Sequence, residues 1–202
     1  INSKSTDNIS SYQILALALL ECLKKNIKDR NLEKIQKMIQ YQIDEISIHK
    51  SYNILEHAKF LNNLIEIKNI FLFLGLEIPN YLSNNIFAMT SLLKTYKHHD
   101  SSLPLFNGSN NNHNKIIQNI SKKEKFLKIS TLKNFKSGIA VYKDYYKTLF
   151  FDVVQPTTLT HHNELSAGTL SVEISAGKEK IITNCGGTES SGKNPAYLKY
   201  SA

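Results

Sequence analysis

The sequence has no Trp, one Arg (Arg30), two Cys and two Met in 202 residues. Each shortage excludes something. Cys22 and Cys185 are far apart in the chain, and two cysteines make no disulfide framework. Base-specific readout of DNA leans on bidentate Arg, so one Arg among 25 basic residues argues against sequence-specific nucleic-acid binding. Eight Gly and four Pro are too few for a collagen-like or low-complexity chain. Long apolar runs are missing too. Residues 70–74 fall far short of the roughly 20 that a bilayer requires, so no transmembrane segment is expected. What remains is 41% apolar and 21% charged, enough for one or two globular domains. The chain starts at Ile1 rather than Met and stops after an apolar stretch. It reads as a piece of a longer protein, and a signal peptide would lie before Ile1.

Charge is uneven. Residues 1–100 carry 12 basic and 10 acidic side chains, against 13 and 7 in residues 101–202. Nine Lys fall between positions 115 and 147, with Glu124 and Asp144 as the acids among them. Such a field favours an anionic partner. A solvated lysine-rich surface would show the same composition.

The first hundred residues have helical period. Ile9, Leu15, Leu19, Leu20, Leu23 and Ile27 form one apolar face, with Asp7 or Ser10 as its cap. A second face runs from Leu32 through Ile35, Met38, Ile39 and Ile43 to Ile46. A third begins at Ile54 and ends at Gly75, a suitable left-handed cap. After Pro79, Leu82, Ile86, Met89, Leu93 and Tyr96 mark a fourth. Pro104 biases Leu103 towards extended backbone, and residues 107–112 read as a loop with a short helix over 115–120 beyond it. From residue 133 the period drops to two. Strands are expected at 139–142, 148–151, 170–175 and 181–185, with a tight turn at 176–178. Helices followed by strands predict an α+β chain in two parts. The helical part covers 1–100, a linker covers 101–132, and an antiparallel sheet fills 133–202.

Three groups of residues carry possible chemistry. Residues 187–193 have the glycine and lysine spacing of a phosphate loop, but Asn194 stands where Ser or Thr would hold magnesium. Pro195 interrupts the helix that such a loop needs, so a surface loop is expected instead. His161, His162 and Glu164 form the densest cluster, able to supply a base or metal ligands, or to be only a polar loop. His98, His99 and Asp100 form a weaker one, which reads as a helix end with cationic residues near the dipole. His49, His57 and His113 are single residues with no visible partner.

Residues 103–109 (LPLFNGS), 167–177 (AGTLSVEISAG) and 181–187 (IITNCGG) resemble the heparinase II/III-like family. The helical half resembles the last helices of that family's α/α toroid. The resemblance implies the end of an α/α toroid-like array followed by the start of an incomplete antiparallel β-sandwich. It also implies a polysaccharide lyase of the cell envelope or periplasm. Such an enzyme cleaves a uronic-acid polymer, glycosaminoglycan-like or alginate-like, by β-elimination. That chemistry needs a donor or cation on the substrate carboxylate, a base for the C5 proton and an acid for the leaving O4.

The sequence departs from the family's pattern at its site. Aligned on Ala167 and Gly168, the family's two His positions are Glu164 and Ser166, and its zinc-ligating Asp is Asn184. No bound metal or other cofactor is therefore expected here. His162 is the first candidate base and His161 the second. Glu164 and Asn107 are candidates for binding substrate. The alternative is a non-catalytic cell-envelope protein that binds an anionic polysaccharide and has lost the lyase residues. A third reading, a cytosolic basic protein on nucleic acid, predicts salt-sensitive binding to DNA or RNA.

Overall fold

The computed structural model describes residues 11–22, 24, 29–45, 47–109, 114–123, 138–153 and 170–184. In these residues, five helices precede a four-stranded sheet. The helices are α1 (Ser11–Cys22), α2 (Asp29–Gln42), α3 (Ile54–Phe73), α4 (Asn80–Thr95) and α5 (Asn114–Lys123). The strands are β1 (Ile139–Lys143), β2 (Lys147–Asp152), β3 (Val172–Ala176) and β4 (Glu179–Ile182), paired antiparallel in the order β1-β2-β3-β4.

Helix α3 is the centre of the helical part, and α1, α4 and α5 pack on it. Asn53 starts it. Its side-chain oxygen accepts the N–H of Leu55 at 2.9 Å and of Glu56 at 3.2 Å, two of the donors a helix start leaves unpaired. Gly75 ends it with φ +66°, as its sequence position suggests. The N–H of Gly75 bonds Leu72 O, and that of Leu76 bonds Phe71 O. Those two bonds define a Schellman cap. Lys123 on α5 pairs with Glu66 on α3.

Two helical expectations need correction. In α1 the inward residues are Ile14 and Ala18, whereas Leu20 is exposed and Leu19 partly so. The helix is apolar nearly all round, so its period alone does not choose a face. The second helix stops at Gln42 instead of running to Ile46. There the chain closes a turn instead. Asp44 accepts the N–H of Ile48 at 2.9 Å, Ser47 takes φ +62°, and Ile43 bridges to His49.

The meander is as expected, with the turn at Gly177 (φ +55°) and a bulge between Ile174 and Ser175. The burial sense is the unusual feature. In β3 the polar Glu173 and Ser175 are buried, while Val172 and Ile174 are only half-buried. Register puts Phe150 beside Glu173 and Thr148 beside Ser175, so these four share one face. That face packs on the helical part. Ile139 and Phe150 of the sheet join Leu103, Phe106 and the helices in one apolar cluster.

Candidate functional site at the joint of helices and sheet

The chain leaves α4 at Tyr96 and turns sharply. His98 N–H bonds Ser102 O at 2.9 Å, with Ser101 at φ +70°. This turn delivers the His98 side chain to the inner face of the sheet. Nδ1 lies 2.9 Å from Ser175 Oγ, and Nε2 lies 3.0 Å from Glu173 Oε2. The ring meets Phe150 edge-on at 4.7 Å. A carboxylate only accepts, so Nε2–H donates to Glu173. In a neutral imidazole, Nδ1 then accepts from the Ser175 hydroxyl.

Glu173 collects more than this one donor. Its Oε1 accepts the N–H of Leu105 at 2.7 Å, and both the backbone N–H and the side-chain Nδ2–H of Asn184 at 3.3 Å. Buried charge persists when it is paired and hydrogen-bonded, and Glu173, wholly buried, meets that condition. Ser175, His98 and Glu173 are linked like a nucleophilic triad, but side-chain burial of all three denies a substrate access to them. Their chemistry is that of a seam. His98 is thus no helix-end surface residue. Its partners lie 75 and 77 residues away in sequence, beyond what local spacing reveals.

Two further polar groups flank the seam. Asp100 accepts from the N–H and hydroxyl of Ser102. Burial works against its charge. The Ser102 bonds, with Lys180 and His98 nearby, outweigh that and hold its carboxyl below the usual range. On the other flank, Lys143 Nζ donates to Lys97 O at 2.7 Å. Burial pushes both ammonium groups below the usual lysine range, and the proximity of Lys94 adds to it.

Asn107 lies on the strap that follows His98. It is buried, takes φ +51°, and donates from Nδ2 to Tyr52 O at 3.3 Å. Tyr52 also has positive φ, at +51°. Burial, together with Asp44 beside it, raises its phenol above the usual tyrosine range. Positive φ at non-glycine residues costs energy, less for Asn than for Tyr, and Ser47, Ser101 and Leu170 share it, so the conformation alone does not set this pair apart. Behind it, His49 and His57 prove to be partnered. The N–H of His49 bonds His57 Nδ1 at 3.3 Å, and His57 Nε2–H donates to Met89 O at 3.0 Å. That burial lowers the His57 pKa to about 4, so the ring serves as a neutral strut.

His161, His162, Glu164 and Ser166 lie outside the described residues. Asn184, at the family's zinc-ligand position, turns its amide N–H towards Glu173, which offers a metal no lone pair from that atom. Among the described residues, no group of three or more His, Cys, Asp or Glu is gathered to hold a metal ion. No described helix is long and apolar enough to cross a membrane.

A helical array closed against an antiparallel sheet through a polar seam is the arrangement of a toroid-and-sandwich protein. Residues 132–200 match the family model described as Heparinase II/III-like, C-terminal, so the resemblance read from the sequence holds for this part of the chain. The structure is similar to that of heparan sulfate lyase HepC from Pedobacter heparinus, with TM-score 0.69 and 11% identity over 94% of this chain. It is also similar to heparinase III, with TM-score 0.68 and 14% identity over 94% of this chain. At such identity the likeness shows the fold: the end of an α/α toroid-like array followed by one sheet of a β-sandwich. The chain spans about a third of these structures, 35% and 36% of their length. A comparison with curated proteins gives no match.

Proposed function

We propose that the protein is a polysaccharide lyase that cleaves an acidic, uronic-acid polysaccharide by β-elimination in the cell envelope or periplasm. The observation that carries the reading is the fold shared with a heparan sulfate lyase over 94% of this chain. The match of residues 132–200 to the heparinase II/III-like C-terminal family supports it. The excess of Lys after residue 100 suits an anionic polymer.

In this reading His162 takes the C5 proton, with His161 as the second choice, since imidazole titrates near neutral pH. Asn107 is buried and gives one amide N–H to Tyr52 O, so its second N–H would meet the substrate carboxylate only once the strap lifts to uncover it. Glu164 would orient an imidazole or bind a sugar hydroxyl. No step is assigned to zinc, because Ser166 and Asn184, which keeps only a neutral carbonyl oxygen beside the N–H it gives Glu173, are poor ligands next to imidazole or thiolate.

A second reading is favoured by one specific observation. Glu164, Ser166 and Asn184 stand where the family carries two His and an Asp, as in a protein that binds acidic glycan without cleaving it. One assay separates the two. The whole protein is mixed with heparan sulfate and, separately, with alginate. A lyase forms an unsaturated product that absorbs in the ultraviolet. Retention of the polymer with no absorbing product would replace the first reading by the second.

A further inference from the structure

Glu173 is buried and meets four donors, which come from three separate stretches of chain. His98 follows α4, Leu105 lies in the connecting strap, and Asn184 follows β4. Among these partners, His98 is the one able to carry a positive charge. The others are neutral amide donors.

The strap explains why one carboxylate matters. Pro104 has no N–H, so Leu105 presents the first donor after it. Leu103, Leu105 and Phe106 are buried, which leaves the N–H of Leu105 without access to water. A buried donor needs a partner, and Glu173 Oε1 supplies it at 2.7 Å, a charge-assisted length. Two residues on, Asn107 reaches across to Tyr52 O on the helical side. The strap is thus held at one point to the sheet and at another to the loop before α3.

We propose that Glu173 is the positioning residue of the joint: by holding the N–H of Leu105, it seats residues 103–109 against the sheet and so sets where Asn107 stands. Its effect on turnover rests on the lyase reading. The seating of the strap does not.

The test uses the whole protein and site-resolved amide hydrogen exchange, with turnover of heparan sulfate and alginate as a second readout. In the wild type the Leu105 amide should be protected as well as the strands are. Glu173→Met removes the acceptor and should raise Leu105 exchange about 10- to 100-fold, as expected for loss of a hydrogen bond to a charged group. Amides of α3 should not change. Glu173→Gln keeps an oxygen for Leu105. Its NH2 can donate to His98 Nε2 once the ring proton moves to Nδ1. It should therefore return most of the protection.

Where turnover is measurable, Glu173→Met should lower kcat about 10- to 100-fold through misplacement, with KM moving less. Glu173→Gln should recover most of that loss. Three outcomes overturn the proposal. One is a wild-type Leu105 amide that exchanges like open loop. Another is protection unchanged in Glu173→Met. The third is Glu173→Gln losing protection as fully as Glu173→Met, and this also decides the matter if the Met variant unfolds. If the wild type cleaves neither polymer while exchange behaves as expected, the lyase reading falls and the seating role stands.

Discussion

Replacing His98 by Ala should destabilise the protein by about 3 to 4 kcal/mol, and the magnitude can be built from its contacts. The His98 and Glu173 side chains are 1% and 0% exposed, so solvent does not screen the pair. With His98 a neutral imidazole, losing its hydrogen bond to the Glu173 carboxylate costs about 1.5–3 kcal/mol, and losing the Ser175 bond costs about 1 kcal/mol more. Here Glu173 keeps the N–H of Leu105 and both donors of Asn184, which places the first cost near its lower end. Loss of the edge contact with Phe150 at 4.7 Å adds about 0.5–1.5 kcal/mol. At about 2–4 °C per kcal/mol for a domain of this size, Tm should fall by roughly 10 °C. Denaturant titration at pH 7 and calorimetry measure both figures. His98→Phe separates the causes, since it retains a ring against Phe150 but donates nothing, and it should recover only the smaller part. A loss below about 1 kcal/mol in His98→Ala would refute the view that this seam is a buried, mutually dependent network.

Three other outcomes are expected. Asn53→Ala should lower stability by about 1 kcal/mol, seen as a small fall in denaturant midpoint, because two N–H groups of α3 lose their cap. His57 should make stability depend on pH with a definite sign. Its folded pKa of about 4 lies below its unfolded value, so its contribution is complete above pH 6.5. About 3 kcal/mol is then lost as pH falls from 6.5 to 4, a slope that should flatten in His57→Gln. His162→Ala should reduce turnover of a cleaved polymer by about 10²–10⁴-fold with no change in the far-ultraviolet spectrum. Unchanged turnover in both His161→Ala and His162→Ala would end their assignment as bases.

Much of the fold was legible because it is local. The spacing of Ile54, Ala58, Leu61 and Ile65 marks the buried face of α3, and Gly75 marks its end. Period two marks the strands, and the turn at Gly177 follows from its sequence. What local pattern could not supply was the sense of β3. Alternation separates Val172 and Ile174 from Glu173 and Ser175 but does not say which set turns inward. The usual assumption buries the apolar set. Here the polar set is buried because His98 and Leu105 arrive from about 70 residues earlier to satisfy it. For the same reason His98 read as a helix end. The one available signal was chemical: a His and an Asp directly after a helix, followed by an apolar strap with a proline. Of the candidate site residues, only Asn107 falls among the described ones, where its amide is bound to Tyr52 O.

The polar character of this seam bears on how the chain is made. His98 emerges from the ribosome 75 residues ahead of Glu173. At about 5–20 residues per second, the helical part waits roughly 4–15 s for the strand that closes it. Throughout that interval the end of α4 offers solvent an imidazole and a polar turn, not a bare run of leucine. Nascent chains that expose apolar surface stick to one another. The imidazole turn lessens that exposure at the end of α4, whereas Leu103 and Phe106 gain their sheet partners Ile139 and Phe150 only as the seam shuts.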